Sequence, residues 1–160
     1  MPMLRAAVLL LCLAPALGRA QEPPLPPEGQ TELRTESVVG SDARRVVVRA
    51  VLPVPARKVW QIVSDCATYQ DHLPRVAASK RLQQEGAIHV CEVTVAMPFP
   101  LSNLTAVTRA VHTESATGMS RRWTLERGDY HVNQGSWEVT PLGDGTRCLV
   151  VYTIHAKPKT

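Results

Sequence analysis

The chain has 160 residues, which is enough for one domain of roughly 100 to 150 residues and too short for a second independent core. Its 44% hydrophobic and 20% charged content is that of a globular protein, which excludes a disordered chain and one that spans membranes throughout. The formal net charge is only +4, and Arg44-Arg45 and Arg121-Arg122 are isolated doublets typical of solvated strand ends. Nucleic acid is therefore not an expected partner.

The N-terminus, residues 1–20, has the pattern of a secretory signal peptide. Arg5 precedes an uncharged apolar run over residues 6–17, and small residues follow it. The run is shorter than the roughly 20 residues that a membrane-spanning helix needs. Cleavage before Gln21 is favoured over cleavage before Arg19, and an uncleaved anchor or a buried N-terminal helix is the alternative. We expect a secreted or periplasmic mature protein.

Three cysteines remain after such a cleavage, namely Cys66, Cys91 and Cys148. An oxidising compartment would permit one disulfide and leave one thiol, but no spacing resembles a disulfide framework or a zinc site. We expect all three to be buried as small hydrophobic side chains.

The segment after the cleavage site, residues 21–43, is predicted to be a Pro-rich tether followed by a lead-in. Residues 22–30 contain four prolines and a glycine and have almost nothing to bury. The folded domain is expected over residues 44–160. Its first element is a valine-rich strand at residues 45–52, which ends at Pro53.

A helix is predicted directly after this strand. Pro55 suits the first position of a helix, where its missing N–H costs nothing. Apolar side chains then recur three and four residues apart, which gives the helix one apolar face: Val59, Ile62, Val63 and Cys66. A second short helix is predicted over residues 67–73, and Pro74 ends it.

Everything after Pro74 is predicted to be strand and turn, giving about six antiparallel strands. Asp144-Gly145 is the strongest hairpin signal, because both central residues of a tight hairpin turn favour a positive φ. The segment after Gly86 alternates between apolar and polar residues, as in a sheet with one face toward the core. Its apolar positions are Cys91, Val93, Val95 and Met97.

Two short helices do not cover the apolar face of such a long sheet. The sequence stops at Thr160 without a helix after its last predicted strand. Two alternatives stay open: the reading frame is truncated before a third helix, or a partner supplies the cover. If the chain ends at Thr160, we expect an oligomer or a covering partner, since an exposed apolar face of this size favours aggregation.

Several motifs together resemble the START-like proteins, also called the polyketide cyclase/dehydrase or coenzyme Q-binding group (SRPBCC). The resemblance covers residues 45–157, and its main motifs are VPARKVW at 54–60, MPFPLS at 97–102 and GSWEVTP at 135–141. It implies an α+β helix-grip fold with a seven-stranded antiparallel sheet and two short helices after the first strand. The long C-terminal helix that such a sheet grips is missing from this sequence. Members of the group hold lipids, quinones, sterols or polyketides in a hydrophobic cavity, and a minority are enzymes.

No catalytic constellation is recognised in the sequence. There is no G-x-S-x-G motif, and no two of the five histidines have the i, i+4 spacing of a helical metal site. We therefore predict no catalytic residues, no cofactor and no metal. Asp65, Asp71 and His72 form the only acid–base cluster near a helix end, where carboxylates are usually caps. His89 has the inward parity of its strand and Glu92 the outward one, so His89 is the candidate base if the domain is an enzyme.

The sequence thus predicts a carrier or sensor that binds a hydrophobic small molecule of the lipid, quinone or polyketide class. An enzyme of the polyketide cyclase/dehydrase type that uses the same cavity is the alternative. Transient contact of the protein with a membrane is a further candidate interaction. Core filling is the competing interpretation for the aromatic residues of the predicted cavity. The candidate ligand-binding residues are Trp60, His89, Val93, Met97, Trp123, Trp137 and Tyr152.

Overall fold

The computed structural model describes residues 23–159, so the predicted signal peptide lies outside the described residues. The elements in chain order are β1 (Thr31–Glu36), β2 (Arg45–Leu52), α1 (Ala56–Ser64), a 3-10 turn (Cys66–Thr68), α2 (Tyr69–His72), β3 (Val76–Glu85), β4 (Ile88–Val95), β5 (Leu104–Glu114), β6 (Met119–Gly128), β7 (Tyr130–Leu142) and β8 (Arg147–Pro158). From β2 onward, this confirms the predicted order of one strand, two short helices and six further strands. Within residues 23–159, none of the helices has the length and apolar character that crossing a bilayer requires.

All eight strands form one antiparallel sheet in the order β1-β2-β8-β7-β6-β5-β4-β3. Consecutive hairpins connect β3 to β8, and β8 also pairs with β2. The sheet has one strand more than the seven that the family resemblance implied, because β1 pairs with β2 along its whole length. The sequence gives no sign of β1, since five of its six residues are exposed and it has no apolar alternation.

The hairpin between β7 and β8 turns over residues 143–146, where the hairpin was predicted. The central residues of the tight turn are Gly143 and Asp144, because the N–H of Gly145 donates to the carbonyl of Leu142. Asp144 does not adopt the predicted positive φ, whereas Gly143 and Gly145 both do. Gly145 has a φ of +86°, a conformation that glycine adopts without steric cost. Oδ1 of Asp144 accepts hydrogen bonds from the backbone N–H and the hydroxyl of Thr146. The register that follows from this turn places Trp137 opposite Tyr152.

Helix α1 covers only one end of the sheet, on the face that we call the inner face. Trp60 and Val63 are buried on one side of α1. They pack on side chains from the sheet: Met119, Val139, Cys148 and Val150. The remaining part of the inner face lies beyond α1, and β8 is the last element that the described residues contain.

The Pro-rich segment lies against the opposite, outer face of the sheet. Pro26 is buried, and Nη2 of Arg49 on β2 donates to the carbonyls of Pro23 and Pro24. This contact corrects the expectation of a tether with almost nothing to bury. Its physical reason is Arg49, a buried cation whose N–H groups need acceptors.

Candidate ligand-binding site

A cleft of about 210 Å³ lies on the inner face, beside the part that α1 covers. Tyr69 on α2 and Leu73 after it supply one wall of the cleft, and strands β4 to β8 supply its floor. Most of the floor is apolar: Val93, Val95, Ala106, Trp137, Ile154 and Ala156. A concave apolar lining with few polar groups is typical of a site for a small hydrophobic ligand.

Four of the seven predicted ligand-binding residues line this cleft, namely Val93, Trp123, Trp137 and Tyr152. The other three lie outside it. Trp60 belongs to the core under α1, His89 packs against His112, and Met97 follows the end of β4 at Val95, where the strand's alternation no longer applies. Contact of the four lining residues with a ligand remains a prediction.

Three aromatic rings form a layer along the floor. The ring centre of Tyr152 lies 4.3 Å from that of Trp137 and 6.0 Å from that of Trp123. Nε1 of Trp123 donates to Oδ1 of Asn133 over 3.0 Å. The Trp123 ring lies directly over Gly135, where a Cβ would come within 2.6 Å of it. Burial raises the pKa of Tyr152 to about 12, so its hydroxyl stays protonated at neutral pH.

One cation is buried in the lining. Arg121 is only 3% exposed, which corrects its interpretation as a solvated strand end. Its side chain reaches from β6 across β5 to β4, where Nη2 donates to Sγ of Cys91 over 3.3 Å. The guanidinium carbon lies 5.6 Å from the centre of the Tyr69 ring and 5.5 Å from that of Trp123. Burial lowers the pKa of Arg121.

The strand alternation would have identified Arg121 as an inward residue. It shares its parity with Trp123, whereas Arg122 has the opposite parity and forms an ion pair with Glu138 on the outer face. The doublet Arg121-Arg122 therefore divides into one buried and one exposed cation. The interpretation of the doublet as solvent-exposed relied on its charge. The alternation of the strand, which places Arg121 on the inner face, predicts its burial correctly.

A disulfide joins Cys66 in the 3-10 turn to Cys91 on β4. Cys148 is a free thiol in the core. The expectation of three small hydrophobic side chains therefore holds for Cys148 alone. The disulfide ties the segment that carries Tyr69 and Leu73 to the sheet, and this segment is a wall of the cleft.

The candidate acid–base groups lie away from the cleft. The rings of His89 and His112 pack at a tilt of 51° with their centres 4.1 Å apart. Burial lowers the pKa of both, that of His112 to about 4. Asp65 accepts the backbone N–H of Ala67 as a cap, and neither Asp71 nor His72 lines the cleft. Within residues 23–159, no group of three side chains is arranged to hold a metal ion.

Comparisons with known proteins identify similar sequences and folds. Residues 52–160 match a family described as polyketide cyclase/dehydrase and lipid transport. The ribosome association toxin RatA of Pseudomonas aeruginosa is 33% identical over 95 residues, which span 59% of this chain and 62% of that protein.

Two solved structures show the same fold at low sequence identity. A STAR-related lipid transfer protein fragment from Xanthomonas axonopodis has a TM-score of 0.69 at 20% identity, over 83% of this chain and 80% of that one. The Zhui aromatase/cyclase from Streptomyces sp. R1128 has a TM-score of 0.60 at 22% identity, over 73% of this chain and 69% of that one. The helix-grip prediction is thereby confirmed.

Proposed function

The chain belongs to the polyketide cyclase/dehydrase and lipid transport family, and we propose that it is an exported carrier or sensor of a hydrophobic small molecule. The ligand is of the lipid, quinone or polyketide class, and it binds in the cleft on the inner face. The observation that carries this proposal is the lining, in which aromatic and aliphatic side chains face the cleft. Burial of such apolar surface by a ligand contributes about 25 cal/mol per Å² to the free energy of binding, from which the cost of ordering the ligand and the side chains is subtracted.

An enzyme of the cyclase or dehydrase type is the second candidate. Such chemistry needs an acid or base within hydrogen-bond reach of the substrate. The part of the cleft lining that residues 23–159 provide has no carboxylate and no imidazole, and its titratable groups are tyrosines and Arg121. This composition favours the carrier or sensor.

We expect an organic-solvent extract of the purified protein to release a hydrophobic compound that mass spectrometry identifies. Ala156→Trp places a large ring in the cleft and should reduce the amount of this compound about tenfold or more. The matched control is Lys157→Trp, because residue 157 is next in β8 and has the opposite parity. It should retain the wild-type amount.

Thermal unfolding of both variants shows whether they are folded. Equal amounts of compound from folded Ala156→Trp and wild-type protein would contradict binding in the cleft. Chemical conversion of the released compound by the wild-type protein would favour the enzyme over the carrier.

The export part of the proposal rests on the signal-peptide pattern of residues 1–20. The Cys66–Cys91 disulfide supports it, since disulfides persist in oxidising compartments. We expect N-terminal sequencing of the secreted or periplasmic fraction to begin at Gln21, or at Arg19 for the alternative cut. An intact Met1 on protein confined to the cytosol would refute export.

A further inference from the structure

Arg121 is a buried cation that has no counterion among residues 23–159. Within the described part of the chain, its Nη2 donates a hydrogen bond to the Cys91 sulfur, a weak acceptor, and its Nε has no hydrogen-bond partner. None of the ion pairs formed within residues 23–159 includes Arg121. The buried Arg49 differs, because it pairs with Glu32 and also donates to two backbone carbonyls.

The packing around Arg121 does not replace a counterion. The Tyr69 and Trp123 rings attract the guanidinium through their π-electrons. This attraction is smaller than the cost of removing a cation from water, which a well-placed anion can offset. An apolar residue in this position would avoid the cost altogether. The unpaired guanidinium therefore points to an anion that arrives with the ligand.

The cleft has a closed end and an open end. The lining residues around Arg121 are buried: Tyr69, Thr108 and Trp123. At the other end Tyr130 is buried, but the aliphatic residues are partly exposed: Leu73, Val95, Ile154 and Ala156. A ligand that fits this distribution has a charged head, which enters first, and an apolar tail, which lies toward the opening.

We propose that Arg121 binds the oxyanion head of an amphiphilic ligand, a carboxylate or a phosphate monoester, at the closed end of the cleft. This inference rests on the proposed function and names the chemical class of its ligand. A guanidinium donates two parallel hydrogen bonds to either head group, and the low dielectric of a buried site strengthens them. Thr108 lines the same end and adds a hydroxyl donor.

The inference is tested by calorimetric titration of the full chain with decanoate, decyl phosphate and 1-decanol, which share one tail. We expect Arg121→Met to weaken binding of the preferred anion about 10- to 100-fold, since charge-assisted hydrogen bonds are lost. Its affinity for 1-decanol should stay within about threefold of wild type. The preferred anion identifies the head group.

The matched control is Arg122→Met, which removes the neighbouring arginine from the outer face and should leave the affinities for all three probes unchanged. Arg121→Met removes a buried unpaired charge and is expected to fold, which thermal unfolding checks. The comparison of probes on the wild-type protein does not depend on any variant. Binding of 1-decanol as tight as that of both anions would overturn the role of Arg121 and leave the cleft proposal intact. Failure of all three probes to bind would overturn both.

Discussion

Replacing Trp60 by alanine is expected to lower the free energy of unfolding by about 3 to 5 kcal/mol. The Trp60 side chain is 3% exposed and packs with Val139 and Cys148 in the core between α1 and the sheet. Its ring also meets the edge of His112, with ring centres 5.4 Å apart. Alanine removes these contacts and leaves a cavity, and urea denaturation of the two proteins measures the difference. A loss of this size is a large part of the roughly 5 to 15 kcal/mol that stabilises a typical domain.

Trp60→Phe separates the core role of this residue from a ligand-binding role. Phenylalanine keeps an aromatic ring in the core, so the variant should remain folded with a smaller loss of stability. Because Trp60 does not line the cleft, the Trp60→Phe protein should bind 1-decanol with the affinity of the wild type. A folded Trp60→Phe protein that no longer binds 1-decanol would instead return Trp60 to the binding site, where the sequence interpretation had placed it.

The elements of this fold were predictable where local pattern and tertiary environment agree. The sequence of strand β4 alternates from Cys91 to Val95, so the inward positions of Cys91 and Val93 followed from it, although Val90 of the opposite parity is also buried. The position of the turn between β7 and β8 was also predictable, because glycines adopt a positive φ without steric cost, but the positive φ lies at Gly143 and Gly145 and not at Asp144. Strand β1 was not, because its backbone pairs with β2 while its side chains remain in solvent. The residues of β1 therefore contain no pattern that predicts its pairing with β2.

The cleft was predictable only in part. Trp123, Trp137 and Tyr152 are large inward residues of consecutive strands, and they meet on the floor. Trp60 looked equivalent in sequence, but the position of α1 over one end of the sheet turns its ring into the core. A sequence pattern gives the face of an element and not its place along the sheet. The division of the inner face between core and cleft is therefore a tertiary property.

The disulfide is a second tertiary property that the sequence did not reveal. Cys66 and Cys91 are 25 residues apart and match no known framework spacing. They meet because the 3-10 turn packs on β4, where Tyr69 completes a small cluster with the two cysteines. The inward parity of Cys91 predicted its burial correctly, but parity says nothing about which residue faces it.

Reduction of this disulfide is expected to lower the free energy of unfolding by about 3.5 kcal/mol, the loop-closure value for 25 residues. Guanidinium denaturation with and without a phosphine reductant measures this loss. The control is a Cys66→Ala/Cys91→Ala double variant, whose stability should be lower from the start and should not respond to reductant. Equal stability of the oxidised and reduced wild-type protein would contradict the prediction.

Reduction of the disulfide should lower the local stability of the cleft wall more than that of the rest of the domain. The disulfide fastens the wall that carries Tyr69 and Leu73, and Cys91 also contacts Arg121 on the floor. Without the bond, backbone amides of residues 65–73 should exchange with solvent faster, because the segment consists of a three-residue 3-10 turn and a four-residue helix, which are too short to be stable by themselves. Amides in the centre of β7 and β8 should keep their protection until global unfolding, since those strands pair over twelve positions. Hydrogen exchange that increased uniformly over the sheet would show that the bond stabilises the whole domain and not the wall of the cleft.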